Sequence, residues 1–229
     1  MSSVADIKII DTDTHWSEPP DLWTSRAPAS YVDRVPQLSE KNGKRRWWFD
    51  GDIAIGTSIA SSVVDTEGNK MLGAAFFGMD NDMVHRSSFD AEARVAMMDE
   101  LGIAAQIMYP NLAGFGNTRF LQSPDEALRL ITTEIYNDAL AEFQEATGQR
   151  VFGMALVPWW NLEAAEAEIR RAHSIGLRGI VTCSNPEEAG LPDMSQPEWN
   201  PIWEACSELK MPVNFHIGSS NRNMDFFGK

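Results

Sequence analysis

Ile103-Ala104-Ala105-Gln106-Ile107-Met108-Tyr109-Pro110, then Ser123-Pro124-Asp125-Glu126, then Val151-Phe152-Gly153-Met154-Ala155-Leu156-Val157-Pro158. An apolar run stopped by proline reads as a buried strand, and it recurs on the far side of a helix-start signal. The middle quartet is a capping box with proline at the first helical position. The helix it opens carries Leu128, Ile131, Ile135, Ala139 and Phe143 on one stripe and is expected to end at Gly148. The pattern continues in both directions. Upstream, Asp90 to Leu101 is helical, with Ala91, Val95 and Met98 on one face and Gly102 placed to end it. Ile7 to Asp11 is a first strand. Downstream, Asn161 caps a helix through Ile169 and Ala172 to Gly176, Arg178–Thr182 is a strand, Asn200-Pro201 starts a helix through Trp203, Cys206 and Leu209, and Pro212–His216 is a last strand. Strands alternating with single helices imply right-handed crossovers and a parallel sheet. A doubly wound sheet and a (β/α)8 barrel both satisfy that pattern. No Gly-x-Gly-x-x-Gly follows the first strand, and Gly114-Phe115-Gly116 lacks the third glycine and reads as a loop turn.

Residues 16–88 break the alternation. Asp50-Gly51 between Lys44–Phe49 and Asp52–Ile55 predicts a hairpin, so this stretch reads as an insertion rather than a second core. The chain has 229 residues and a net charge of −14, from 33 acidic and 19 basic side chains. That balance disfavours nucleic acid and anionic membrane surfaces as partners. No apolar run approaches the roughly 18 residues of a membrane span. The start, Met1 to Lys8, lacks a basic segment followed by an apolar one. Two cysteines, Cys183 and Cys206, make neither a disulfide framework nor a metal motif. A reducing cytoplasm is the expected compartment.

In both architectures the working face lies at the C-terminal ends of the strands. The first strand ends in Asp11-Thr12-Asp13-Thr14-His15. Residues two apart in an extended chain point the same way, so Asp11, Asp13 and His15 are expected on one face. Polar groups in a core need satisfaction, and a carboxylate with imidazole suits zinc, manganese or iron; the alternative is a turn and helix-cap cluster. His216, at the end of the last strand, is either a structural histidine or a third ligand across the cavity. His173 sits near a helix C-terminus, where it favours the dipole. His85 lies in the irregular stretch just before a helix, where it can border the site. Trp159-Trp160 follows a strand and can line a pocket.

Ile10-Asp11-Thr12-Asp13-Thr14-His15 followed by Glu18-Pro19 and Leu22-Trp23, Met98-Asp99-Glu100-Leu101-Gly102-Ile103, Gly176-Leu177-Arg178-Gly179-Ile180 and Pro212-Val213-Asn214-Phe215-His216-Ile217-Gly218 together resemble the amidohydrolase-related family. This is the branch of the amidohydrolase superfamily that includes aminocarboxymuconate semialdehyde decarboxylase. The resemblance runs almost end to end. It implies a (β/α)8 TIM-type barrel, metal-dependent and incomplete, with about five of eight βα units present. It makes 1–229 the N-terminal part of one such domain, with 16–88 inserted. It also implies one divalent metal, zinc or manganese, held by Asp13, His15 and His216. Asp13 stands where most of the superfamily has histidine, as in related aromatic-acid decarboxylases. Asp11, Glu18, His85 and Trp159 are placed around the metal or against the substrate. The family's strand-six histidine and strand-eight aspartate have no counterpart here, so no catalytic residue is assigned.

The implied activity is that of a metal-dependent hydrolase or carboxy-lyase acting on a small aromatic or enoic carboxylic acid. The other reading is an inactive fragment, or a binding or assembly module without a complete metal site. Outside 16–88, the chain suits roughly five units of about 30 residues each. It is therefore expected to be a truncated barrel, weak in metal binding and poorly soluble alone; the resemblance further implies a homodimer in full-length form.

Overall fold

The computed structural model describes residues 7–56, 60 and 62–219. Met1–Asp6, part of the start read above, lies outside the described residues. In chain order the elements are β1 (Ile9–His15), β2 (Gln37–Lys41), β3 (Lys44–Phe49), β4 (Ile53–Ile55), α1 (Ala91–Leu101), β5 (Ile103–Tyr109), α2 (Glu126–Ala146), β6 (Val151–Leu156), α3 (Leu162–Ser174), β7 (Gly179–Val181), α4 (Asn200–Leu209) and β8 (Val213–Asn214). One sheet has the order β1-β5-β6-β7-β8, all parallel. Each of α1 to α4 leads into the next of its strands, as right-handed crossovers require. This is the wall of a partial (β/α)8 barrel. Among the described residues, β1 and β8 each have a sheet neighbour on one side only. Ile9 and Ile10 on β1, and Phe215 and Ile217 just past β8, are exposed. No helix among the described residues is long and apolar enough to cross a membrane.

The helix-start signals were legible, with one shift. Asp90 and Asn161 cap α1 and α3 by accepting from the N–H groups of Ala93 and Ala164, and Gly102 ends α1 with φ +69°. The capping box at Ser123 is not where α2 begins. Asp125 is the cap, accepting from Leu128 N, while Ser123 Oγ donates to Asp50 Oδ2 at 2.6 Å. The Asp125 carboxylate, held by Arg34, is the stronger acceptor and takes the first free helix N–H, while Ser123 Oγ accepts only from Asp125 N, one step short of the helix. The buried face of α1 also differs from the expected stripe. Arg94 and Met98 are its buried residues, and Val95 is only half-buried.

Within 16–88, β2, β3 and β4 form a separate antiparallel sheet. The Asp50-Gly51 hairpin is present, with Phe49 opposite Ile53 and φ +48° and +80° at the turn. A second hairpin at Asn42-Gly43, with Lys41 opposite Lys44, carries the same Asn/Asp-Gly signal, which the sequence reading passed over. This sheet has no core of its own. Trp47, Phe49 and Ile55 are buried in the same cluster as the barrel core. Trp23 meets Trp47 edge-on at 5.7 Å and donates from Nε1 to Thr132 O of α2.

Two packing details set up the site. First, β1 is bulged. Asp11 stands opposite Gln106 and Thr14 opposite Met108, so three residue steps on β1 match two on β5. Second, the chain beyond β1 binds the chain beyond β5. Glu18 is only 3% exposed, and its Oε1 accepts from Asn111 N at 2.9 Å and Leu112 N at 2.8 Å. Burial pushes its pKa up to about 7, against the pull of those N–H groups and of Arg119.

Two outcomes follow from this packing. A Cβ at Gly153 would run into the Leu140 side chain where α2 lies on β6, so Gly153→Ala is expected to cost about 1–3 kcal/mol, read in a denaturant melt. Glu18 favours its neutral form in the fold, so its contribution to stability is whole below its unfolded pKa of 4.5 and is lost as pH rises through about 7. Glu18→Gln keeps an oxygen acceptor and cannot ionise. Its melting temperature is expected to exceed the parent's at pH 8, with the gain gone near pH 4; a difference constant across that range would show that Glu18 does not titrate there.

Candidate metal centre

Asp13 and His15 close β1, and His216 lies two residues past β8. In hydrogen-bonding order these strands are the two ends of the sheet, four steps apart. A flat sheet would separate them by about 19 Å at roughly 4.8 Å per step. Yet His216 Nε2 lies 3.1 Å from Asp13 Oδ1, and His15 Nε2 lies 3.4 Å from the same oxygen. The sheet is therefore curled as a barrel wall, and side chains from its two edges converge at the C-terminal end. The potential ligand atoms of Asp13, His15 and His216 all lie within 4.8 Å of one another.

Both imidazoles are oriented by backbone. His15 Nδ1 faces Pro110 O at 3.3 Å, and His216 Nδ1 faces Ile217 O at 2.7 Å. A carbonyl oxygen only accepts, so Nδ1 of each ring is placed as a donor. Nε2 of both rings turns to the Asp13 carboxylate, with His216 Nε2 hydrogen-bonded to Oδ1, and imidazoles held by backbone through Nδ1 are the arrangement usual for metal-ligating histidines. The rings are also packed. Phe115 lies 3.8 Å from the His216 ring, Tyr109 meets it edge-on at 5.0 Å, and Tyr109 Oη donates to Asn214 Oδ1. Burial lowers the His15 pKa, and His216 and Arg94 lower it further against the opposing pull of Pro110 O and Asp13, which favours the neutral, ligating form. The donor set, one carboxylate oxygen and two imidazole nitrogens, fits a divalent zinc or manganese ion.

Asp11 does not share that face. The bulge reverses the alternation, so Asp11 points with Gln106 and Met108, and its Oδ2 accepts from Gln106 Nε2 at 2.8 Å. The expectation that Asp11, Asp13 and His15 project together fails for this reason. Glu18 is turned to the Asn111–Leu112 backbone, as above. His85 caps a short 3-10 turn, accepting from Ser87 N. It lines a cavity of about 670 Å³ along the open edge of β1, together with Asp11, Asp13, His15 and Arg94. Trp159 is buried and donates from Nε1 to Gly116 O, which ties the Gly114–Gly116 turn to the end of β6.

The structure adds residues that the sequence reading missed. Arg94, 4% exposed, donates to Thr14 Oγ1 and His15 O at 3.0 Å each and to Ser88 O. It braces the end of β1 from the helix side. An arginine among the apolar positions of α1 was the available signal. Tyr109 and Phe115 enclose the histidines, and Tyr109, the last residue of a strand ending at the working face, could have been found from position alone.

The family model described as amidohydrolase matches residues 10–228. No curated protein matches the chain. Among solved structures, the fold is similar to an amidohydrolase from Mycobacterium avium subsp. paratuberculosis, with TM-score 0.68 and 18% identity over 93% of this chain and 59% of that one. It is similar to a 2,6-dihydroxybenzoate decarboxylase complexed with 2,6-dihydroxybenzoate, with TM-score 0.52 and 17% identity over 97% and 52%. It is also similar to a 5-carboxyvanillate decarboxylase from Novosphingobium aromaticivorans with bound manganese, with TM-score 0.53 and 18% identity over 94% and 52%. The chain thus spans between half and three-fifths of the length of these proteins. With the barrel wall, the curled mouth and a family match over nearly every residue, the chain belongs to the amidohydrolase family.

Proposed function

We propose that this chain carries the first part of a metal-dependent active site, and that the protein it serves is a carboxy-lyase acting on a small aromatic carboxylic acid. The carrying observation is the convergence of Asp13 Oδ1 with Nε2 of His15 at 3.4 Å and with Nε2 of His216 at 3.1 Å. These three residues would hold one divalent cation, manganese or zinc. When bound, such a cation supplies positive charge that orients a carboxylate and stabilises developing negative charge. The chain's own contribution is to aim both imidazoles through Nδ1, to keep His15 neutral, and to line the mouth with the Tyr109 and Phe115 rings, suited to contact with an aromatic acid. An anionic Asp13 in place of an imidazole makes the ligand set harder and more accepting of manganese. The fold neighbours described as decarboxylases, one with a hydroxybenzoate and one with manganese, supply the substrate panel. A hydrolytic member of the family would use the same three residues and release an acid together with an alcohol or amine.

Titration with Mn2+ or Zn2+ is expected to reveal one site, weakened about tenfold or more by Asp13→Ala, His15→Ala or His216→Ala. Equal affinity in all of these variants would put the metal elsewhere. With metal bound, release of carbon dioxide from a panel of hydroxybenzoates is expected and should vanish in the same variants. New acid formed from esters or amides, without carbon dioxide from any hydroxybenzoate, would select the hydrolase instead.

A further inference from the structure

The segment after β1 runs beside the segment after β5, and four consecutive residues of the latter are held in turn. Trp16 N donates to Tyr109 O at 3.0 Å, continuing the parallel ladder by one bond. The ladder stops at Pro110, which has no N–H to offer. Side chains take over from there. The His15 ring donates to Pro110 O, and the Glu18 carboxylate accepts from both Asn111 N and Leu112 N. On the other side of the same turn, Arg119 Nη1 donates to Leu112 O at 2.8 Å. Pro110 is joined by one peptide bond to Asn111, so the orientation of its carbonyl is set by where the Asn111 and Leu112 N–H groups are held. Burying a carboxylate is costly, and at this position the carboxylate satisfies two backbone donors that the broken ladder leaves over. It has no contact with Asp13 or His216 among the described residues.

We propose that Glu18 is a positioning residue for the metal centre: by holding the Asn111–Leu112 turn it fixes the Pro110 carbonyl, which keeps the hydrogen of His15 on Nδ1 and aims Nε2 at Asp13 and His216. This deepens the metal-site reading and rests on it. The role needs an oxygen acceptor at the carboxylate's place. Glutamine satisfies that need and methionine, of similar length, does not.

The test reads the His15 tautomer and the metal affinity separately. In the metal-free parent at pH 8, ring 15N shifts are expected to show His15 protonated on Nδ1 and bare on Nε2. Glu18→Gln is expected to keep that tautomer and to bind Mn2+ within about threefold of the parent. Glu18→Met is expected to mix the tautomers and lose about 10- to 100-fold in Mn2+ affinity, the range seen when an outer partner of a ligating histidine is removed. A folded Glu18→Met chain with parental tautomer and affinity overturns the proposal. So does an Nε2-protonated His15 in the parent, which needs no variant to fold. Failure of the parent to bind Mn2+ or Zn2+ would instead remove the metal-centre reading, with the tautomer still reporting on the link from Glu18 to His15.

Discussion

Between Asp11 and Thr14 the pairing of β1 with β5 has one residue too many on the β1 side, and the directions of Asp13 and His15 relative to Asp11 depend on that excess. Asp11 aligns with Gln106 and Thr14 with Met108. Gln106 and Met108 are buried on the face covered by helices, while Tyr109 lies on the face toward the barrel interior beside His216. A regular strand continuing from Asp11 would have sent Asp13 and His15 to the helix side, against α1. The extra residue returns them to the interior face and gives Thr14 to Arg94. Bulges re-aim side chains at the rims of barrels, and here one bulge separates a carboxylate that ends up on Gln106 from one that ends up on two imidazoles.

A bulged strand end needs bracing, because its ladder is broken where precision matters. Arg94 supplies the brace from α1, with donors on Thr14 Oγ1, His15 O and Ser88 O. Burial lowers its pKa to about 10, so it stays charged near neutral pH. Its full charge strengthens these bonds to neutral acceptors relative to those a neutral donor would make. The interior side is braced by the ring of His15 on Pro110 O and by Glu18 on the next two N–H groups. The backbone of His15 is thus held from the helix layer, and its ring from the loop after β5.

The alternation of strands and helices was legible because each crossover carries its own punctuation: Asp90 and Gly102 around α1, Asn161 before α3, Pro110 and Pro158 after strands. The convergence of Asp13, His15 and His216 was also legible, since all three lie at strand ends on the working face. The departures have local physical causes. Period-two reasoning assigned Asp11 to the wrong face because a bulge leaves no mark in residue types. The start of α2 was read two residues early because Asp125, fixed by Arg34, a partner 91 positions away that only tertiary structure supplies, takes the cap in place of Ser123. Arg94 was overlooked because a charged side chain on an amphipathic helix ordinarily faces solvent, and the backbone acceptors that bury it come from β1 and from the chain just before α1.

The curl of the sheet gives the proposed metal centre a consequence for the fold. Asp13 and His216 sit near the two ends of the chain and on the two edge strands, so a cation they share would close a loop of about two hundred residues. Closure of so long a loop is the case in which a cross-link removes the most entropy from the unfolded chain, and a preformed site rarely exists before folding. The edges that a cation would tie together are also where Ile9, Ile10, Phe215 and Ile217 are exposed. Binding at such a centre and curvature of the wall would therefore be coupled: a flatter sheet would part His216 from Asp13, and ligation would resist that flattening. The same residues that would orient a substrate carboxylate would hold five strands in the arc of a barrel.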